Sequence, residues 1–267
     1  MAIRSLKTGQ FSRSAMVGNT PAAPTAPVAG YNLWLDAADA TTFTFSSGTS
    51  VSQWTDKSAN GYTFTEATAS NQPSRSGTLN GKSTVVYDGT TDRLISTATA
   101  STWNYLHNGD KATVFIVCKI NGTGTHYPFA TCDDATSSIG FGFYGDSGTV
   151  FGAQSFRGVS GSVGPQASTT MNTTTFYVYS TYLDQDNAIV VDKTKLYQNS
   201  GFANVNSVNQ NGSNSTCSRT LSIGMNGAVS GGGWMKGEIA EIISYTSLIS
   251  NADRTKNVDY LKAKWGL

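Results

Sequence analysis

The 267 residues predict an all-β sandwich with one short C-terminal helix and an extended N-terminal arm. Three observations carry that reading. Only 13% of the residues are charged while glycine contributes 28, a composition suited to short strands and turns rather than long helices. Met235 to Tyr245 reads as a strand with isoleucine on both sides, so it belongs at the centre of a sheet. Three of the six prolines fall in the ten residues T-P-A-A-P-T-A-P-V-A, positions 20–29, which reads as an extended, semi-rigid linker.

The linker divides the chain. Residues 1–19 carry Arg4, Lys7 and Arg13 with no acid, and apolar side chains at Ile3, Leu6 and Phe11. That stretch is too polar for a core of its own, and the folded domain is expected over 30–267. It lacks the continuous apolar core of a secretory signal, and no run of the chain approaches the ~18 apolar residues of a membrane span. A net charge of +1 provides no general attraction for nucleic acid. Cys118, Cys132 and Cys217 are odd in number and without metal-ligand spacing, so they read as buried thiols.

Within the domain, Leu33 to Asp39 opens the fold, and Gln53 to Gly61 is a strand running into an Asx-type turn. Asn80-Gly81 is a hairpin turn ahead of the β-branched strand in Leu79 to Gly89. Thr113 to Ile120 is apolar on both faces and should be central, while Gly140 to Gly145 alternates glycine with aromatics and predicts close packing. Phe176 to Leu183 and Ala188 to Val191 are expected to be strands flanking a turn at Asp184 to Asn187, with Lys195 to Gln198 continuing the sheet. Leu221 to Met225 precedes a glycine-rich bend at 230–233 and the closing strand. In that strand, regular alternation sets Ile239, Glu241 and Ile243 on one face and Glu238, Ala240, Ile242 and Ser244 on the other. Ser250 with Asp253 starts a helix, Val258, Leu261 and Trp265 form its apolar edge, and Gly266 ends it.

The closing residues Gly237, Ile239, Ala240, Glu241, Ile242, Ile243 and Tyr245, followed by Tyr260, Leu261, Lys264, Trp265, Gly266 and Leu267, resemble the terminal motif of laminin-G-like members of the concanavalin A-like lectin/glucanase superfamily. The opening segments from Leu33 to Leu94 match the same pattern. The resemblance implies a two-sheet antiparallel jelly-roll sandwich, a fold that hosts lectins, glycosidases, adhesins and structural modules alike. The leader resembles an N-terminal peptide of structural proteins of tailed phages, notably cyanophages. That implies a docking tag for a capsid or tail protein through Ile3, Arg4, Leu6, Lys7, Phe11 and Arg13, with the sandwich displayed on the virion surface. A disordered tail and a targeting peptide are the other readings of the same residues. A homo-oligomer is the expected assembly.

Catalysis is not expected. Glu238 and Glu241 are three apart, which in a regular strand turns them to opposite faces, whereas a glycosidase needs two carboxylates flanking one bond. No cofactor is assigned; Asp184, Asp186 and Asn187, or Asp133 and Asp134, leave calcium open at the rim, with turn formation the commoner use of such residues. His107 and His126 lack partners at zinc or triad spacing. For a host glycan as ligand, Trp103, Tyr105, His107 and Tyr127 lie in loop-like sequence and could stack on sugar rings, against the alternative that they pack beneath the loops.

Overall fold

The computed structural model describes residues 24–132, 138–146, 148–158, 163–205, 210–227 and 233–267. The leader with its six docking residues, the Asp133–Asp134 pair and most of the glycine-rich bend lie outside the described residues.

Among the described residues the strands, in chain order, are β1 (Leu33–Asp36), β2 (Phe43–Ser47), β3 (Ser50–Thr55), β4 (Thr63–Thr65), β5 (Ser74–Leu79), β6 (Lys82–Asp88), β7 (Leu94–Ser96), β8 (Lys111–Ile120), β9 (His126–Ala130), β10 (Ile139–Asp146), β11 (Val150–Arg157), β12 (Val163–Thr170), β13 (Tyr177–Asp184), β14 (Thr194–Gln198), β15 (Gly201–Val205), β16 (Ser222–Ile223) and β17 (Lys236–Tyr245). A single α-helix, α1 (Asn251–Trp265), closes the described chain. Every pairing is antiparallel.

The pairings resolve into two layers. In the first sheet β17 is flanked along one side by β8, then β13, β14 and β15; along its other side β6 takes its first half and β1 its second. The second sheet runs β2, β3, β4, β7, β16, β9, β10, β11, β12. Strand β5 pairs with both β6 and β3, joining the layers at one edge. This is the two-sheet antiparallel sandwich of a jelly roll, with α1 laid on the outside of the first sheet.

The core explains the sequence pattern. Phe141 and Phe143 turn inward from β10 and meet Phe129, while Phe151 of the second sheet stacks on Tyr179 of the first at 3.6 Å between centroids. The intervening Gly142 leaves the outer side of β10 free for the Tyr127 ring, which a Cβ there would meet at 3.1 Å. Strand β8 is buried over nearly its whole length, as its two-sided apolar sequence predicts. At the β5–β6 hairpin, Asn80 and Gly81 hold φ of 48° and 71°, the left-handed pair that an Asn-Gly turn supplies. The Asx turn also forms: the Asp56 carboxylate accepts from Ser58 N at 2.9 Å and from Trp34 N at 2.6 Å, tying β1 to the turn.

Two expectations are corrected. Ala188 to Val191 is not a strand. Asn187 caps Ile189 N at 2.8 Å, Val190–Asp192 forms a 3-10 turn, and the partner of β13 is β14, so Ile189 and Val191 stay exposed instead of entering a sheet. The alternation in β17 is also interrupted. Opposite β8, Ile239 pairs with Cys118 and Glu241 with Val117, so Ala240 is an extra residue in a bulge. Past it the parity flips. Ile239 shares the inner face with Ile242 and Ser244, and Glu238 shares the outer face with Glu241 and Ile243.

Two residues of the linker also touch the domain. Pro27 is buried, Val28 N donates to Asn257 Oδ1 at 2.7 Å, and Tyr245 Oη donates to Val28 O at 2.7 Å. Asn257 Nδ2 donates in turn to Tyr245 Oη at 2.9 Å, closing a ring of three hydrogen bonds on the helix-bearing face.

Candidate functional site

The bulge brings Glu238 and Glu241 to one face, but each is already bound. Glu241 is fully buried and accepts four bonds: Trp34 Nε1 and Tyr260 Oη on Oε1, Lys264 Nζ and Trp265 Nε1 on Oε2, all at 2.7 Å. Lys264 also reaches Asp36 at 2.6 Å, and Lys57 bridges Asp36 at 3.0 Å and Asp39 at 2.8 Å while lying over the Trp34 ring. Burial pushes the Glu241 carboxyl upward in pKa, and Lys264 opposes that shift. Lys57 holds Asp39 down at about 2. Glu238 pairs with Lys119 at 2.8 Å and accepts from Thr84 Oγ1 at 2.6 Å. The E of the terminal motif and its K-W are therefore one device, fastening α1 to the sheet.

The four residues proposed for sugar stacking are buried, which takes their rings out of reach of solvent. Trp103 donates Nε1 to Thr220 Oγ1 at 3.1 Å and packs against Tyr62, Phe64 and Tyr105. Tyr105 Oη meets Ser244 Oγ at 2.8 Å inside the sandwich. His107 is held by Ser215 O at 2.8 Å, its pKa lowered by burial. Tyr127 sits in a small cluster with Ala130, Cys132 and Phe156. The structure does not bring these residues to one surface. His126, also buried, meets Trp234 O at 2.6 Å. Asp184 pairs with Lys111 and accepts from Asn187 Nδ2 at 3.0 Å, the turn-forming use of those side chains. Among the described residues no three His, Cys, Asp or Glu side chains gather as metal ligands.

Among the described residues the exposed aromatic side chains lie elsewhere, at Phe45 and Phe202. On the outer face of the first sheet Tyr182, Tyr197 and Phe202 form a row across β13, β14 and β15, with centroids 5.6 and 5.2 Å apart in edge-to-face contacts. Tyr182 and Tyr197 present only their margins, whereas Phe202 is 55% exposed at the edge strand. From the first turn of α1, Arg254 lies 4.0 Å over the Tyr197 ring. Burial pushes the Tyr182 phenol up to about 12 against the pull of that guanidinium, so it is a neutral hydrogen-bonding group at ordinary pH. The arrangement offers one exposed ring, Phe202, backed by two buried tyrosines, with a cation stacked on the nearer of them.

No protein-family model matches the sequence, and no curated protein does. Solved structures share the sandwich. A structure described as showing that cell entry of botulinum neurotoxin type C depends on interaction with two ganglioside molecules superposes with a TM-score of 0.58 at 11% identity, covering 87% of this chain and 51% of that one. The Trypanosoma rangeli sialidase in complex with sialic acid superposes at 0.55 and 10% identity, over 89% of this chain and 34% of that one. The likeness is one of fold. The chain thus spans about half the length of the first neighbour and about a third of the second.

The row was hard to find in the sequence because Tyr182, Tyr197 and Phe202 are spread over three strands whose pairing sets them in line. One signal was available. A cation in the first turn of a helix, where acids are favoured, makes Arg254 anomalous.

Proposed function

We propose that this protein is a non-enzymatic, lectin-like display module that binds glycans, carried on a phage particle by its N-terminal arm. The observation that supports glycan binding is the row of Tyr182, Tyr197 and Phe202 with Arg254 behind it. Pyranose faces stack on such rings, and Phe202, 55% exposed, presents one at the sheet edge. Glycan-binding neighbours on the same fold make this ligand class the first to test. Assignment to the laminin-G-like branch rests on the terminal motif, whose Glu241, Lys264 and Trp265 are joined in the structure. Saturation of both β17 glutamates by donors supports a role without hydrolysis.

A glycan array with the full chain and its Phe202→Ala variant tests the reading. Selective binding that the variant loses is expected; binding that survives the substitution would place the site elsewhere. A purely structural role as capsid decoration or fibre component is the second reading. It is favoured by the leader's likeness to phage structural proteins and by the pinning of Val28, which fixes where the arm leaves the domain. Silence on the array together with particle binding by the arm would favour it. Display on the virion surface, synthesis in the host cytoplasm and a homo-oligomeric state belong to the same proposal.

A further inference from the structure

Lys193, which caps the 3-10 turn ahead of β14, is only 4% exposed, and among the described residues its side chain has one partner, Oδ1 of Asn211. An ammonium carries three donors and is costly to bury without a carboxylate beside it, so a single neutral amide matches poorly a lysine kept there for its charge. Among the described residues Lys193 makes no ion pair. The amide is held in place by its neighbour. A Cβ at Gly212 would collide with Gln185 Oε1 and His107 O, both of fully buried residues, so the loop that carries Asn211 is pressed onto the core. A carboxylate stands across the turn. Asp184 N donates to Lys193 O at 2.9 Å, one place beyond the Leu183 and Thr194 pair, which sets the two residues opposite each other. Asp184 is itself buried, and its contacts with Lys111 at 3.2 Å and Asn187 Nδ2 at 3.0 Å both fall on Oδ2, which leaves Oδ1 to act.

We propose that Lys193 and Asn211 are a modification site, where the two side chains join in an intramolecular isopeptide bond. Lys193 gives a proton to Asp184 Oδ1, and the free amine attacks Asn211 Cγ. The Nζ–Cγ bond forms and the Cγ–Nδ2 bond breaks. A second proton passes from Nζ to Nδ2, which leaves as ammonia and takes up the proton held by Asp184. Nothing is oxidised or reduced, and no cofactor enters. Contact between amine and amide replaces a bimolecular encounter, the circumstance in which a slow acyl transfer becomes feasible. Asn211 lies at the surface, so ammonia has an exit, while the nucleophile stays sheltered. Gly212 N could attack the same carbon and convert Asn211 to aspartate, but an amine is a far better nucleophile than a backbone amide. The bond ties the start of β14 to the loop beyond β15, a covalent staple in a chain whose three cysteines are free.

Intact-mass spectrometry of the purified full chain, denatured, tests this without any variant. The mass should fall about 17 Da below that of the sequence, allowing for processing of Met1, because one ammonia is lost. A tryptic digest should contain a branched peptide joining Lys193 to Asn211, uncut after Lys193. Lys193→Arg and Asn211→Ala should each show the full mass of its own sequence and no branched peptide. Asp184→Asn, checked for the parent's near-UV spectrum, should lose most of the branched peptide. The full sequence mass in the parent, with Lys193 and Asn211 recovered in separate peptides, overturns the inference. A gain of about 1 Da confined to Asn211 overturns it as well, since that marks attack by Gly212 N and hydrolysis. Loss of ammonia mapped to any other residue does the same. A branched peptide that persists in natively folded Asp184→Asn overturns the role given to Asp184 while supporting the bond.

Discussion

At the scale of single residues, Glu241 shows how a buried charge becomes a structural fastening. Four donors from β1 and α1 converge on its two oxygens, so replacing one oxygen by an amide NH2 leaves two of them facing a donor and removes the charge opposite Lys264. Glu241→Gln should destabilise the fold by about 3–5 kcal/mol in denaturant melts, the usual cost of breaking a buried ionic group. A loss under ~1 kcal/mol would mean the network relaxes freely. Asp92 works in the opposite sense. Burial, with the neighbouring Asp88 charge, raises its pKa to about 7, while hydrogen bonds from the Thr90 to Asp92 loop lower Asp88 to about 2 despite its partial burial. A raised carboxyl binds its proton more tightly folded than unfolded, so its stabilising contribution is full below about pH 4 and is lost as pH rises through 7. The contribution of Asp88, like that of Asp39, is present above about pH 4 and lost as pH falls through 2. Melting temperature followed against pH should therefore show Asp92→Asn gaining on the parent between about pH 4 and 7. No gain across that window would contradict the assignment.

At the scale of elements, α1 is a clamp rather than an appendage. Ser250 caps its first turn by accepting from Asp253 N at 3.1 Å, Gly266 ends it at φ 71°, and Trp265 is fully buried. Trp265→Ala removes a large buried ring and a Glu241 donor together, so it should cost roughly 3–5 kcal/mol by chemical denaturation. The helix also holds the incoming chain. Deletion of residues 1–23 should leave stability unchanged, whereas deletion of 1–29 leaves Asn257 Oδ1 buried without its donor and should cost about 1–3 kcal/mol. Equal melts for the two truncations would show that the ring of bonds at Val28 contributes nothing.

At the scale of the whole molecule, Val28 and the row of Tyr182, Tyr197 and Phe202 lie on the same outer face of the first sheet, the face that carries α1. On the proposed reading, function divides between a tether and a displayed surface. The leader of residues 1–19, fused with the linker to an unrelated fluorescent domain, is expected to bind phage particles lacking this protein. A version carrying Arg4→Ala, Phe11→Ala and Arg13→Ala should bind much less, because ordering a short peptide needs several contacts acting together. Binding by the leaderless sandwich and not by the fusion would move the contact surface onto the jelly roll.

Local chemistry was legible in the chain itself. Turn residues such as Asn80-Gly81, the Asp56 Asx turn, the Ser250 cap, the Gly266 stop and the two-sided apolar strand β8 are each dictated by neighbours in sequence, and each formed as the residues require. What depended on pairing was not legible. The extra residue at Ala240 reversed the facing of half of β17, because a strand's parity is set by its partner's register rather than by its own alternation. For the same reason Trp103, Tyr105, His107 and Tyr127, polar-edged aromatics in loop-like sequence, ended beneath the surface, while Phe202 on an edge strand stayed outside it. Burial is a property of the other chain segments that arrive, and only the tertiary structure brings Arg254 from the helix onto Tyr197 from the sheet.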